Sequence, residues 1–272
     1  MKVVARLLVT GVTVVAFGLV GVLPSACSSD GDSGTTGKRI SLEVKVGATD
    51  AKAPFVNAAG WTVKIDKAFV STGALYYYDG ATIFSKAEPA RPRLRDWVGI
   101  KPAFAHPGHY VPGNARGELL TPSSVDLRAE ASIGTGSGIS GITRSATFSF
   151  QAPPSGPFAG ELAGHVAVIE GTATKGGETR VFRAEMDAAD VVSTKNATSV
   201  EGCPFAEVDM EADGVVVVDL KMARWFDQAD FTSIAKSADG KPVLLGADDG
   251  PRKALARGMK EGLSYAFSYR PR

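Results

Sequence analysis

The chain has 272 residues, of which 30 are lysine or arginine and 29 are aspartate or glutamate, so its formal net charge at pH 7 is +1. This even balance argues against a nucleic acid as partner, because phosphate binding needs an excess of basic residues on one face. The length is sufficient for one large β domain or two small ones.

The N-terminal residues have the organisation of a secretory signal that ends at a cysteine. Lys2 and Arg6 form a basic start, residues 7–22 carry no charge, and small residues precede Cys27. This segment resembles the signals of bacterial envelope lipoproteins, in which the cysteine is diacylated and becomes the new N-terminus. The resemblance implies a signal peptide over residues 1–26, a palmitate-type acyl chain on Cys27 and contact with the lipid bilayer through it.

A polar segment follows this cysteine. Residues 28–39 contain no aliphatic side chain and cannot bury enough surface to order themselves, which predicts a flexible tether over residues 27–39. In the lipoprotein family, Ser28 would favour the outer membrane of a Gram-negative host, with the folded domain periplasmic or surface-exposed. Once Cys27 is acylated, Cys203 has no partner for an internal disulfide, so the core must hold the domain together.

Alternation of apolar and polar residues begins at position 40. Residues 40–46 and 61–65 both have the period of a half-buried strand. Asp79-Gly80 separates the strand-like runs 74–78 and 82–84 and predicts a hairpin turn between them.

A long irregular segment, residues 88–122, contains six prolines and two of the three histidines. Segments of this length inside a compact domain are often functional. His106-Pro107-Gly108-His109 places two imidazoles around a Pro-Gly turn, where both could bind one Cu(II) or Zn(II) ion. His165 is the candidate third ligand, with Glu118 or Asp126 as an oxygen ligand. The alternative is that His106 and His109 are surface loop residues and that His165 faces a strand neighbour.

Further strand signals fill the second half of the chain. Gly176-Gly177 and Asp213-Gly214 each separate two strand-like runs and predict hairpins. Residues 252–261 have the acidic flank, early proline and apolar side of a helix, and the residues after them alternate as a strand. The elements predict an all-β fold over residues 40–272, an antiparallel β-sandwich with one short C-terminal helix and a long Pro-rich loop. A division into two β domains near residue 155 is the alternative.

Motifs typical of enzymes occur without the context that their chemistry needs. Residues 136–141 match G-x-G-x-x-G, but a strand-like run rather than a helix follows, which predicts a glycine loop and no nucleotide site. Residues 233–236 match S-x-x-K, yet the companion K-T-G motif of penicillin-binding enzymes is absent. Cys203 is predicted to be a buried structural thiol. The sequence therefore indicates no catalytic residue and a protein that is not an enzyme.

Three tyrosines stand in a row at positions 76–78. Alternation places Tyr77 on one face of a strand and Tyr76 and Tyr78 on the other. Exposed strand tyrosines bind glycans or protein partners, and others only pack against their neighbours. Together with Tyr110, which directly follows the second histidine of the irregular segment, Tyr76 and Tyr78 are the candidate partner-binding residues.

A β-rich envelope lipoprotein with Trp61 near its start and a His-Pro-Gly-His loop is faintly similar to the methanobactin-partner-like, copper-associated periplasmic proteins. The resemblance implies copper association and no particular ligand residue. The predicted function is that of a membrane-anchored lipoprotein with a non-catalytic ligand-binding β domain, which takes copper or zinc through His106 and His109 with His165. The alternative is a structural or assembly lipoprotein that docks another envelope protein without metal.

Overall fold

A computed structural model describes residues 37–82, 110–193, 197–237 and 239–272 of the chain. Within these residues the fold is mostly β. Eight strands close into a barrel: β1 (Arg39–Gly47), β4 (Leu75–Tyr78), β5 (Ala115–Leu119), β7 (Ala131–Ile139), β8 (Gly141–Ser149), β11 (Ser199–Met210), β12 (Gly214–Leu220) and β14 (Tyr265–Pro271). Six strands form a second sheet: β2 (Phe55–Val56), β3 (Thr62–Thr72), β6 (Ser123–Asp126), β9 (Ala167–Lys175), β10 (Glu178–Met186) and β13 (Val243–Leu244).

The barrel is a mixed sheet. Its strands follow the order β1-β12-β14-β11-β8-β4-β5-β7, and β7 pairs with β1 to close it. β1 runs parallel to β12, and β11 runs parallel to β14. The prediction of a mostly β fold is confirmed, whereas the predicted antiparallel sandwich is corrected to a closed barrel with a second sheet. Alternation indicates which side chains are buried, but it does not determine which strand becomes the neighbour.

The hairpin predicted at Asp213-Gly214 is wrong, because the last strand lies between its two arms. β12 pairs antiparallel with β14 from Gly214 to Leu220, and β11 meets β14 at Phe205 opposite Phe267. The hairpin predicted at Gly176-Gly177 is confirmed, since β9 and β10 pair antiparallel along their full length.

The irregular segment predicted for residues 88–122 contains β5 and the residues that lead into it. The predicted glycine loop at 136–141 is also corrected, because Gly136 and Gly138 belong to β7, which continues through a tight turn into β8. Residues 1–36 and 83–109 lie outside the described residues. The predicted signal, the tether up to residue 36, Cys27, His106 and His109 are therefore not described by the structure.

Four α-helices occur in the described chain: α1 (Ala159–Leu162), α2 (Ala188–Val191), α3 (Met222–Trp225) and α4 (Gly250–Met259). The predicted C-terminal helix is α4, which carries Pro251 in its first turn and buries Leu255 and Met259. The other three are four residues long, too short for a helical period to be visible in the sequence. None of the helices in the described ranges combines the length and the apolar character needed to cross a lipid bilayer.

One cluster of buried hydrophobic side chains contains residues of both the barrel and the second sheet. Its aromatic part includes Trp61, Phe182, Phe226 and Phe231, and the segment after α3 supplies two of these rings. The ring centroids of Phe182 and Phe231 are 4.9 Å apart. The indole Nε1–H of Trp61 donates to Asp230, 3.0 Å away. The segment after α3 therefore covers the second sheet and contributes to its core.

Candidate functional site

The tyrosine run lies on β4 and alternates across the barrel wall as predicted. Tyr77 is fully buried, and its ring packs edge-on against Phe205 and Phe267 inside the barrel. Tyr76 and Tyr78 are half-buried on the outer side, with ring centroids 6.5 Å apart. Burial raises the pKa of Tyr78, although a hydrogen bond from Thr147 opposes the shift. The phenol of Tyr78 is thus available to a ligand as a neutral hydrogen-bonding group.

Tyr110 lies on the same outer surface. Its hydroxyl is 2.8 Å from Oγ of Ser145, the β8 residue that pairs with Tyr78. Since the Ser145 hydroxyl donates to the Gly80 carbonyl, Tyr110 is the donor to Ser145. Burial raises the pKa of Tyr110 to about 12, so this phenol is protonated at neutral pH. We call Tyr76, Tyr78 and Tyr110 the tyrosine face.

A glycine lies beneath the Tyr110 ring. Gly202 of β11 has φ +70, and the place where its Cβ would stand is 3.5 Å from the Tyr110 ring. A side chain at this position would have to adopt an unfavourable backbone conformation directly beneath the ring.

Both ends of the segment between β4 and β5 are fastened to the barrel next to the tyrosine face. The carboxylate of Asp79 accepts hydrogen bonds from the backbone N–H of Asn114 (2.7 Å) and from the guanidinium of Arg116 (2.9 Å). The Gly80 N–H donates to the Pro112 carbonyl (2.8 Å). Burial alone would raise the pKa of Asp79, but the bonds from Asn114 and Arg116 hold it below its ordinary value. We call these contacts, with the Ser145 bonds, the clasp.

A groove of about 280 Å³ lies on the outer barrel wall over β1, β5 and β7. Its polar lining consists of Arg39, Arg116, Glu118 and Ser137, and the backbones of β5 and β7 contribute glycines. We call these four side chains the groove residues.

The strand register connects the groove to the tyrosine face. Glu118 stands opposite Ser137 on one side and opposite Tyr76 on the other, and Tyr76 stands opposite Thr147. These four residues form one row across β7, β5, β4 and β8. A ligand that extends from the groove past Glu118 would therefore meet Tyr76.

Sequence reasoning missed most of this groove. Arg39, Arg116 and Ser137 come from three strands that are distant along the chain, and no local motif joins them. Glu118 was considered only as an oxygen ligand for a metal. The one local signal is the alternation of glycine with other residues in β7. By itself this pattern predicts a loop.

His165 lies two residues before β9 and is held between two carboxylates. Its Nδ1 is 2.7 Å from Asp187, and its Nε2 is 3.3 Å from Glu185. A metal ion at either nitrogen would have to displace one of these contacts. Within the described ranges, no group of three or more His, Cys, Asp or Glu side chains is arranged to hold a metal ion. The prediction for His106 and His109 falls outside those ranges.

Cys203 is fully buried in β11, and its thiol donates to the Val200 carbonyl, with 3.2 Å between sulfur and oxygen. Burial raises the pKa of this thiol to about 12. Because the thiolate is the nucleophilic form, this setting suits a structural residue, as predicted.

Comparison with known proteins gives little further information. No family model and no curated protein matches the chain. Among solved structures, MbnP from Methylosinus trichosporium matches with 12% identity and a TM-score of 0.40, covering 85% of this chain and 98% of that one. This weak neighbour agrees with the faint similarity predicted from the sequence, and at this TM-score it carries no argument about function.

Proposed function

We propose that the chain is a lipid-anchored envelope protein with a non-catalytic ligand-binding site at the tyrosine face and the adjoining segment 83–109. The observation that carries this proposal is the clasp. Ser145 binds both Gly80 and Tyr110, so both ends of the segment between β4 and β5 are fixed on the barrel surface. Fixing the ends of a long connection lowers the entropy cost of binding a ligand through it.

The ligand in this proposal is Cu(II) or Zn(II), bound through His106 and His109. His109 is joined by a peptide bond to Tyr110, whose hydroxyl is held by Ser145. Imidazole is a good ligand for both metals. The phenol of Tyr110 already donates its proton to Ser145, so it would hold the chain beside such a site rather than bind the metal itself.

Metal titration of the full chain, purified in detergent, tests this ligand. We expect about one Cu(II) or Zn(II) per chain by mass spectrometry of the desalted protein, and loss of that metal in a His106→Ala/His109→Ala variant. In the matched variant His165→Gln the metal should be retained, because the two ring nitrogens of His165 already face carboxylates. Wild-type protein without metal above background would refute the metal proposal.

The anchor in this proposal is the acyl chain on Cys27. Each buried methylene contributes about 0.8 kcal/mol to membrane binding. In a bacterial host fed with an alkyne analogue of palmitate, we expect the wild type to be labelled and the Cys27→Ala variant to carry no label. The buried Cys203 provides the control, since Cys203→Ala should be labelled like the wild type. Labelling of the Cys27→Ala variant equal to that of the wild type would show that the acyl chain is attached to another residue.

The tyrosine face also favours a second candidate, a structural or assembly lipoprotein that docks another envelope protein without metal. Half-buried aromatic residues on an outer strand are frequent in protein interfaces. Absence of metal in the titration, with capture of one envelope protein that is lost in a Tyr76→Ala/Tyr78→Ala variant, would favour this candidate.

A further inference from the structure

We propose that the groove and the outer tyrosines together form a binding site for a carboxylate-bearing saccharide. This site is separate from the metal ligands proposed above and does not depend on them. It consists of the row Ser137, Glu118, Tyr76 and Thr147, with Arg39 and Arg116 on the same outer wall.

The aromatic half of the site is provided by Tyr76 and Tyr78. Their rings are tilted by 30° with centroids 6.5 Å apart, and both are half-buried on the outer side of β4. An aromatic ring offers an apolar face together with a polar hydroxyl, which suits the apolar faces and the hydroxyl groups of a sugar ring. The closed barrel beneath holds both rings on a rigid strand, so little order is lost when a ligand binds.

The charged half of the site is provided by two guanidinium groups. Arg116 is positioned by Asp79, 2.9 Å away, and its side chain is only 16% exposed. Arg39 is exposed at the opposite wall, at the start of β1. Guanidinium binds carboxylate through parallel hydrogen bonds, which is a stronger and more directional contact than a neutral pair. The groove thus has a place for an anionic group on the strand next to the one that carries the aromatic rings.

The remaining groove residues match sugar hydroxyls. Glu118 can accept hydrogen bonds and Ser137 can both donate and accept. Adjacent strands are about 4.8 Å apart, so the row from Ser137 to Tyr76 spans two strand spacings. This span and the volume of about 280 Å³ fit a small saccharide unit rather than a large cofactor.

A pair of probes with the same sugar ring, one charged and one uncharged, tests the proposal. We would titrate the full chain in detergent with galacturonic acid and with its uncharged methyl ester, and measure affinity by calorimetry. We expect the acid to bind roughly tenfold more tightly than the ester, or better, because charged hydrogen bonds are lost in the ester. Arg39→Gln and Tyr76→Ala should each weaken binding of the acid by about tenfold.

The matched control is Arg270→Gln, which removes an equally exposed arginine from β14, outside the groove. It should leave the affinity for the acid unchanged. If Arg39→Gln and Arg270→Gln weaken binding equally, the attraction is general electrostatics and the proposal is wrong. Equal affinity for acid and ester, or no heat with either probe, would overturn it as well. Arg39 is exposed, so its replacement should leave the thermal unfolding temperature unchanged. None of these outcomes depends on the metal titration.

Discussion

The Gly136→Ala variant should lose about 2–3 kcal/mol of unfolding free energy, as overpacking against a rigid neighbour does. A Cβ on Gly136 would stand 2.1 Å from the Glu118 carbonyl oxygen and 3.2 Å from the Leu119 Cα. Both are backbone atoms of β5, so the contact cannot be relieved by a change of side-chain rotamer. The strand β5 would have to move away from β7.

This movement would affect closure of the barrel. β5 pairs with β7 only at Gly117 opposite Gly138 and at Glu118 opposite Ser137, whereas β7 pairs with β1 along most of its length. The seam between β5 and β7 is therefore short, and Gly136 lies beside it. The groove spans the same seam, so Gly136→Ala should also lower the affinity for any ligand that the groove binds.

Urea denaturation monitored by tryptophan fluorescence measures this loss. The control is Gly160→Ala in α1, where nothing stands within 4 Å of the added Cβ. There the substitution should be neutral or stabilise by up to about 1 kcal/mol, because alanine is the better helix former. Equal stability of the two variants would show that β5 can move away from β7 without cost.

The glycines of β7 explain why its sequence predicts a loop rather than a strand. A repeating glycine leaves no side chain whose burial alternates, so β7 has no visible strand period. Yet the closeness of Gly136 to β5 is a reason why this position has no side chain. That position 136 requires a glycine becomes apparent only when the neighbouring strand is known.

The local pattern was informative where an element and its partner are close along the chain. β9 and β10 form the predicted hairpin, α4 begins near the predicted proline, and the alternation at Tyr76–Tyr78 places Tyr77 inside the barrel. It failed where a distant strand intervenes. β14 lies between β11 and β12, and no feature of residues 199–220 indicates this insertion.

In the candidate site, too, only the residues with a local sequence pattern could be predicted. The two outer tyrosines were predicted because their strand has a clear period. The groove residues were not, because Arg39, Arg116 and Ser137 are adjacent only through the pairing of β1, β7 and β5. A site built across a barrel wall depends on strand order, which alternation does not contain.

Replacing Asn57 by leucine should destabilise the protein by about 3–5 kcal/mol, since each buried backbone group left unpaired costs about 1–3 kcal/mol. Asn57 is 5% exposed. Its Nδ2 donates to the carbonyls of Phe226 (2.9 Å) and Ala229 (2.8 Å), and its Oδ1 accepts from the Trp61 N–H (2.9 Å). Leucine has a similar volume, and it would leave the Ala229 carbonyl and the Trp61 N–H unpaired, whereas the Phe226 carbonyl would keep its hydrogen bond from the Ala229 N–H.

Two of the three bonds connect the turn before β3 to the segment after α3, which covers the aromatic part of the core, and the third lies within the turn itself. Urea denaturation should therefore show a lower midpoint for Asn57→Leu. The control is Gln228→Leu, an exposed amide whose hydrogen bond goes only to the side chain of Asp227. That variant should stay within about 0.5 kcal/mol of the wild type.

The two variants together distinguish between apolar packing and buried hydrogen bonds as the interaction that holds the segment after α3 in place. If apolar packing of Phe226 and Phe231 were sufficient, Asn57→Leu would add apolar contacts and leave stability unchanged. If the buried amide is required, the loss appears, because the Ala229 carbonyl cannot turn to water without withdrawing the neighbouring rings from the core. We expect the second result, since all three polar groups lie inside the protein and water is not available to replace the amide.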